Sequence, residues 1–284
     1  MRALRRVIEL SVIPAYDRIM RIVSLAPNVT SILVELGASR ALAGITRWCK
    51  DVVPDEQFRT LADVPQFDDC WNADPAAVAA IKPDLVIASV PYRAQVVDGL
   101  VARGLRFLAT YPRCLDDIFS DIRLLSRIVD RPVTGDQLVT RMQGEVEAVC
   151  RRLAGTSGTG SRPKVYCEEW SNPLQNSQAW VAELVTACGG EFVPLPAARK
   201  VSAEEVIAAD PDLIVVAWCG TNDRSRPDVV RRRPGWATIK AVQQGRIYAV
   251  RDELLNTPGP KLVDGLKTLA HLIHPEIFPV PAEP

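Results

Sequence analysis

Residues 77–89 read Ala-Val-Ala-Ala-Ile-Lys-Pro-Asp-Leu-Val-Ile-Ala-Ser, and residues 205–217 read Glu-Val-Ile-Ala-Ala-Asp-Pro-Asp-Leu-Ile-Val-Val-Ala. Each copy closes a helix-spaced apolar run on a Pro-Asp pair and follows it with β-branched residues. Proline just past a helix stops it, and the aspartate turns the chain toward a strand. An unbroken apolar run of this length suits a strand covered on both faces, as in a parallel sheet. Asp74 stands ten residues before Asp84, and Ser202 ten before Asp212, so the copies keep a constant offset of 128 residues. Cap, helix and strand are duplicated as one unit. The duplication predicts two α/β lobes of similar build with a cleft between them.

Outward from these copies, residues 21–26 form a strand, with Thr30 as N-cap of the next helix and Gly37 as its stop. Residues 46–73 are loop-rich, and Asp74-Pro75 is a strong helix start. Residues 134–153 carry Leu138, Met142, Val146, Val149 and Leu153 at helical spacing. This stretch predicts a helix about 30 Å long, a rigid strut between the halves. The Gly/Ser/Thr-rich residues 155–163 form a linker. The second half restarts with a strand at 164–167 and a loop at 168–178, and a helix after Pro234-Gly235-Trp236 runs to Gly245. Strands alternate with helices throughout, which predicts mostly parallel sheets. The expected organisation is an extension at 1–19, a first lobe at 20–133, a connecting helix at 134–156 and a second lobe at 157–284.

A chain of 284 residues, 48% hydrophobic and 24% charged, is ordinary for a globular protein of one or two domains. Its formal net charge of zero gives no footprint for nucleic acid. Arg2, Arg5 and Arg6 resemble the basic region of an export signal, but Glu9, Pro14 and Asp17 interrupt its apolar core. Met20 then reads as a second start, with a degenerate signal as the alternative. Seven cysteines at irregular spacing do not form a disulfide framework. Free thiols and the interrupted leader predict a cytoplasmic protein. A periplasmic or cell-surface protein with a misassigned N-terminus is the other reading.

Ligands of open parallel sheets bind beyond the carboxyl ends of the strands. The segments there are Pro27-Asn28, Thr46-Arg47-Trp48, Val90-Pro91-Tyr92, Tyr111, Glu168-Glu169-Trp170 and Trp218-Cys219-Gly220. Most carry a large aromatic, although aromatics make up only 6% of the chain. Aromatic faces on opposed lobes suit a large, flat, partly apolar ligand; filling the core at strand ends is the plainer use of each. Enzyme signatures are poor. His271 and His274 are the only histidines, on a closing helix whose C-terminus favours cations. No phosphate-binding glycine loop occurs. Glu168 and Glu169 are adjacent on a strand and so face opposite ways. Cys49, Cys114, Cys167 and Cys219 lie near strand ends, where they serve as small hydrophobes or, alternatively, as soft metal ligands.

Residues 22–30 (Ile-Val-Ser-Leu-Ala-Pro-Asn-Val-Thr), 80–87 and 210–216 resemble the substrate-binding proteins of cobalamin and ferric-siderophore ABC importers. Residues 169–173 (Glu-Trp-Ser-Asn-Pro), 180–184, 246–250 and 258–266 (Pro-Gly-Pro-Lys-Leu-Val-Asp-Gly-Leu) resemble the cobalamin-binding branch in particular. The resemblance implies an α/β fold of two Rossmann-like lobes with mostly parallel sheets, joined by a single long α-helix. It implies little hinge motion and a ligand in the cleft. In that branch aromatics sandwich the corrin, and Trp48, Phe67 and Trp170 fall at or beside such positions. Tyr92, Trp180 and Trp218 are added from topology, with Arg47 and Glu169 as polar groups that orient the side amides.

The expectation is therefore a monomeric, non-catalytic binder of cobalamin or a related corrinoid as ligand, with no cofactor and no metal site. An iron-siderophore or haem binder is the alternative within the binding class. A thiol-based metal protein or enzyme is the alternative outside it, and predicts that Cys49, Cys167 and Cys219 approach one another. The implied partner is an ABC permease. It would dock on one surface glutamate per lobe; Glu204 fits in the second lobe, whereas Ala76 stands at the equivalent first-lobe position.

Overall fold

The computed structural model describes residues 19–155, 161–221 and 224–280. The expected extension therefore lies, but for Ile19, outside the described residues, as does the middle of the 155–163 linker. Ten strands form two sheets among the described residues. The first contains β1 (Ile22–Ser24), β2 (Leu42–Thr46), β3 (Gln66–Phe67), β4 (Leu85–Ser89) and β5 (Phe107–Thr110). Its order is β3-β2-β1-β4-β5 and every pairing is parallel. The chain leaves β1 to one side and returns to its other side at β4, so the strand order reverses there.

The second sheet is built from β6 (Lys164–Ser171), β7 (Leu174–Asn176), β8 (Glu191–Phe192), β9 (Leu213–Val216) and β10 (Ile247–Ala249). Its order is β10-β9-β6-β7, with β8 also on β6. The β6–β7 pair alone is antiparallel and carries an irregularity between Glu168 and Trp170. The stretch expected as a loop at 168–178 is therefore mostly sheet: β6 runs on to Ser171 and turns straight back into β7. The two copies of the repeated phrase deliver β4 and β9, and β9 is fully buried.

Among the described residues twelve α-helices flank the sheets: α1 (Pro27–Glu35), α2 (Cys49–Val52), α3 (Asp55–Arg59), α4 (Pro75–Ala80), α5 (Ala94–Val101), α6 (Leu115–Ile128), α7 (Pro132–Ala154), α8 (Ala179–Ala187), α9 (Ala203–Ala209), α10 (Pro227–Arg231), α11 (Lys240–Gln243) and α12 (Leu262–Ile273). The predicted caps hold in both copies. Asp74 accepts the Ala76 N–H, and Ser202 forms a capping box with Glu205. Thr30 is not a cap. Pro27 starts α1 itself, and the buried Thr30 hydroxyl donates to Ser24 Oγ at 2.8 Å. The helix expected before Gly245 is interrupted at Ile239, whose extended backbone separates a 3₁₀ turn at Trp236–Thr238 from α11.

The strut is α7. Its 23 residues span about 34 Å at 1.5 Å per residue, with Leu138, Val139, Met142 and Val149 buried. Gly135 lets it lie directly on α6, since a Cβ there would collide with the Ser126 side chain. One apolar cluster runs from Ile22 and Leu33 through Val139 and Met142 to Val165, Leu213 and Leu266. The core is thus continuous from the first sheet to the second.

Candidate functional site

A cleft of about 340 Å³ opens where the carboxyl ends of the two sheets face each other. From the first half it is lined by Leu25, Ala26, Pro27 and Asn28 after β1, by Trp48 just ahead of α2 and Asp51 and Val52 within it, by Asp69, and by Ser89 at the end of β4 with Val90 and Pro91 after it. From the second half come Cys219 and Gly220 after β9, and Asn256, Thr257 and Pro258 ahead of α12. Residues after β1 and β4 meet here because the strand order reverses between those strands, which leaves a crevice at their ends. The strand-end rule thus finds seven of the lining positions. It misses the 256–258 turn and the two carboxylates, Asp51 within α2 and Asp69 on the loop after β3.

Of the residues expected to bind ligand, Trp48 lines the cleft. Arg47 stacks over it, 5.1 Å from the ring centroid, and is held in place by Asp68 at 2.8 Å. Phe67 lies against Gly44, where a Cβ would collide with its ring edge, and packs against the core of the first sheet. Tyr92 and Trp170 are exposed beyond the lining; the Trp170 indole donates to the Asn172 carbonyl at 3.0 Å. Trp71, absent from the expected set, is also exposed and has the Arg93 guanidinium over its ring at 5.1 Å.

Trp180 is not at the cleft. It lies on the inner face of α8, only 3% exposed, and its indole donates to the Leu255 carbonyl at 2.8 Å. Trp218 is half-buried and donates to Glu168 Oε1 at 2.8 Å. Glu168 is fully buried and takes both Arg233 amino groups, at 2.6 and 2.7 Å, and the Tyr166 hydroxyl at 3.1 Å. The Tyr166 phenol is pushed far above its usual range, chiefly by burial and then by the Glu168 charge. Glu169 points the opposite way, as adjacent strand residues must. It accepts from Gln178 at 2.7 Å and from the Cys219 thiol at 3.5 Å, and burial raises its pKa.

The thiols do not converge. Cys49 is buried against Thr30 and Thr46 in the first half, at 3.0 and 3.2 Å. Cys167 is fully buried in the second sheet, while Cys219 lines the cleft. Among the described residues no three His, Cys, Asp or Glu side chains are placed to hold a metal ion. His271 contacts the Phe278 carbonyl at 2.9 Å, far from the cleft lining. Glu204 and Ala76 are both exposed and each is the second residue of its helix, α9 and α4, so the 128-residue offset holds in space as well as in sequence.

A family model described as periplasmic binding protein matches residues 22–254. An uncharacterised ABC transporter substrate-binding lipoprotein, YvrC, of Bacillus subtilis is 26% identical, over 91% of this chain and 81% of the relative. A vitamin B12-binding protein of Pectobacterium carotovorum is 25% identical, over 88% of this chain and 86% of its own length. Among solved structures, a periplasmic haem-binding protein from Pseudomonas aeruginosa superposes with a TM-score of 0.80 at 20% identity, covering 93% of this chain and 95% of that one. The cytoplasmic placement expected from the thiols and the interrupted leader is overturned by these matches, which are to periplasmic and lipoprotein substrate-binding proteins. Among the described residues no helix is long and apolar enough to cross a membrane.

Proposed function

The chain belongs to the periplasmic binding protein family, and on that premise we propose that it binds cobalamin or a related corrinoid in the cleft between its sheets, without catalysis, for delivery to an ABC importer. The observation that carries this reading is the chemistry of the lining. Among the described residues of the lining, Asp51 and Asp69 are the only charged groups, and there is no Lys, Arg, His or Tyr. Within that lining an anionic siderophore would meet carboxylates and no counter-charge, and a haem iron no imidazole or phenolate for an axial bond. A corrin rimmed with neutral carboxamides meets Asn28, Ser89, Asn256 and Thr257, and Trp48 offers a flat apolar face. The cobalamin- and B12-binding names of several relatives point the same way.

The volume suits one edge of a macrocycle, at the lower end of the few hundred to a thousand Å³ of small-molecule sites. The permease would be met through Glu204 on the second lobe, with Ala76 offering no charge on the first. Titration with cobalamin, followed by tryptophan quenching, tests the assignment. Wild-type protein quenches at micromolar ligand or tighter. Trp48→Ala loses about 30-fold in affinity, the scale of an aromatic anchor, and Trp48→Phe recovers most of it. Absent quenching at 100 µM or so, or a preference for haem or a ferric siderophore in competition, removes the assignment.

A further inference from the structure

Two polar atoms of the cleft have no hydrogen-bond partner: Ser89 Oγ, at the end of β4, and Asn256 Oδ1, in the turn ahead of α12. They come from opposite halves of the chain. Ser89 is 3% exposed. Native proteins satisfy nearly all buried side-chain polar atoms, and an orphan calls for a cause. Two orphans in one cleft, one from each lobe, share a simple cause: their partners arrive with the ligand.

The Asn256 amide is fixed in orientation. Its Nδ2 donates to the Ala217 carbonyl at 2.7 Å and reaches Cys219 Sγ at 3.4 Å. Flipping the group would place Oδ1 against that carbonyl, so the unpartnered atom is an acceptor. The Ser89 hydroxyl both donates and accepts. Asn28 lines the same cleft, 4% exposed, with its Nδ2 donating to the Pro258 carbonyl at 3.4 Å. A ligand carboxylate would satisfy Ser89 and repel Asn256 Oδ1. An ammonium would also find acceptors at both atoms and the Asp51 and Asp69 carboxylates in the same lining, so the pair of orphans discriminates against carboxylates and not against amines. A primary carboxamide brings an N–H for Asn256 and a carbonyl for Ser89.

From this arrangement we infer that Ser89 and Asn256 are specificity-determining residues that select macrocycles carrying primary carboxamides over those carrying carboxylates. The inference rests on the binding site proposed above and extends it to the side-chain chemistry read there. The absence of a basic residue from the described lining acts in the same direction.

The test compares two matched ligand pairs by equilibrium titration of the purified full chain: cobalamin against its side-chain monocarboxylic acid derivatives, and haem against its bis-carboxamide. Wild type prefers the amide member of the pair it binds by about 10-fold or more, the scale of a hydrogen bond to a group otherwise left unsatisfied. Ser89→Ala and Asn256→Ala each reduce that preference to within about 3-fold while Trp48 quenching by the acid member persists. Asn256→Ser, which keeps a polar group in the turn, is the variant to use if Asn256→Ala does not fold. If cobalamin fails to bind but the haem bis-amide binds better than haem, the corrinoid assignment falls and the carboxamide selection stands. If cobalamin binds and its acids bind equally well, the assignment stands and the selection is overturned. If none of the four binds, both are overturned.

Discussion

Replacing Arg233 with methionine tests what holds Trp218 at the edge of the cleft. Glu168 is fully buried, and Arg233 is its bidentate partner, with a side chain only 14% exposed. The same guanidinium lies 4.6 Å from the Trp236 ring centroid, closing the polar group off from the apolar cluster around Tyr166 and Trp236. In Arg233→Met the carboxylate stays buried with only the Trp218 indole and the Tyr166 hydroxyl as donors. Breaking one side of a buried pair in this way costs about 3–5 kcal/mol. For a chain of this size that corresponds to a fall in Tm of about 5–8 °C. The companion Glu168→Leu/Arg233→Met removes both charges and recovers most of that loss, as buried pairs replaced by apolar groups do. Recovery is incomplete, because Trp218 Nε1 and Tyr166 OH then lose an acceptor, at about 1–3 kcal/mol for each group left unsatisfied. Urea unfolding followed by far-ultraviolet circular dichroism measures all three proteins. An Arg233→Met variant within 1 kcal/mol of wild type, or a double variant less stable than the single one, would refute the account of a desolvated charge pair.

Three further substitutions read other parts of the fold. Asp121, on α6, has one carboxylate oxygen buried without a partner, and burial followed by the Asp117 charge raises its pKa to about 6. A carboxyl raised in the folded state stabilises only while protonated, so its contribution is full below about pH 4 and is lost as pH rises through 6. Asp121→Asn should flatten the urea midpoint between pH 4 and 6 and raise stability at pH 7 by about 1 kcal/mol, discounted for its partial exposure; a variant whose pH profile parallels wild type would reject this. Gly265, on α12, admits no Cβ, which would collide with the Leu254 carbonyl and stand 3.0 Å from Leu255 Cδ2, whereas Gly144, on the exposed side of α7, has open space. Gly265→Ala should therefore cost about 1–3 kcal/mol as overpacking against backbone, and Gly144→Ala should gain up to about 1 kcal/mol from helix propensity. The same urea midpoints compare the pair, and equal effects of one sign would contradict the packing.

The scaffold was legible because its signals are local. A proline after a helix, an aspartate before one and a β-branched run need only neighbouring residues to be read, and the 128-residue offset carried them into both sheets. Strand ends came with the strands, and with them Pro27, Asn28, Trp48, Val90, Pro91, Cys219 and Gly220. The rest of the site depends on chain segments that topology, not sequence spacing, brings together. Asn256 reaches the cleft from 39 residues beyond its Ala217 partner, and Arg233 reaches Glu168 across 65. Trp180 is different, because its place could have been read. Trp180, Val181, Leu184 and Val185 are the buried stripe of α8, and their spacing is that of an inward helix face. An aromatic near a strand end was weighed by its position in the chain, when its phase on the helix decides where it points.

The shared core also constrains how a ligand can be held. Beyond the continuous apolar cluster, Glu183 of α8 accepts the first backbone N–H of α6, from Leu115 at 2.7 Å, and Asn28 of α1 reaches the Pro258 carbonyl at 3.4 Å. Both bonds join residues from the two halves of the chain. Ile32 of α1 also stands where a Cβ on Gly259 would touch it, at 3.7 Å. Closure by a wide hinge rotation would tear this contact surface and expose apolar area at about 25 cal/mol per Å². A binding protein built this way gains little from moving its lobes, so its selectivity must reside in what the cleft already presents. A fixed acceptor on Asn256, an unpartnered hydroxyl on Ser89 and a stacked Trp48 are groups of that kind. Their ordering is completed during folding rather than at binding, which is how preorganisation raises affinity.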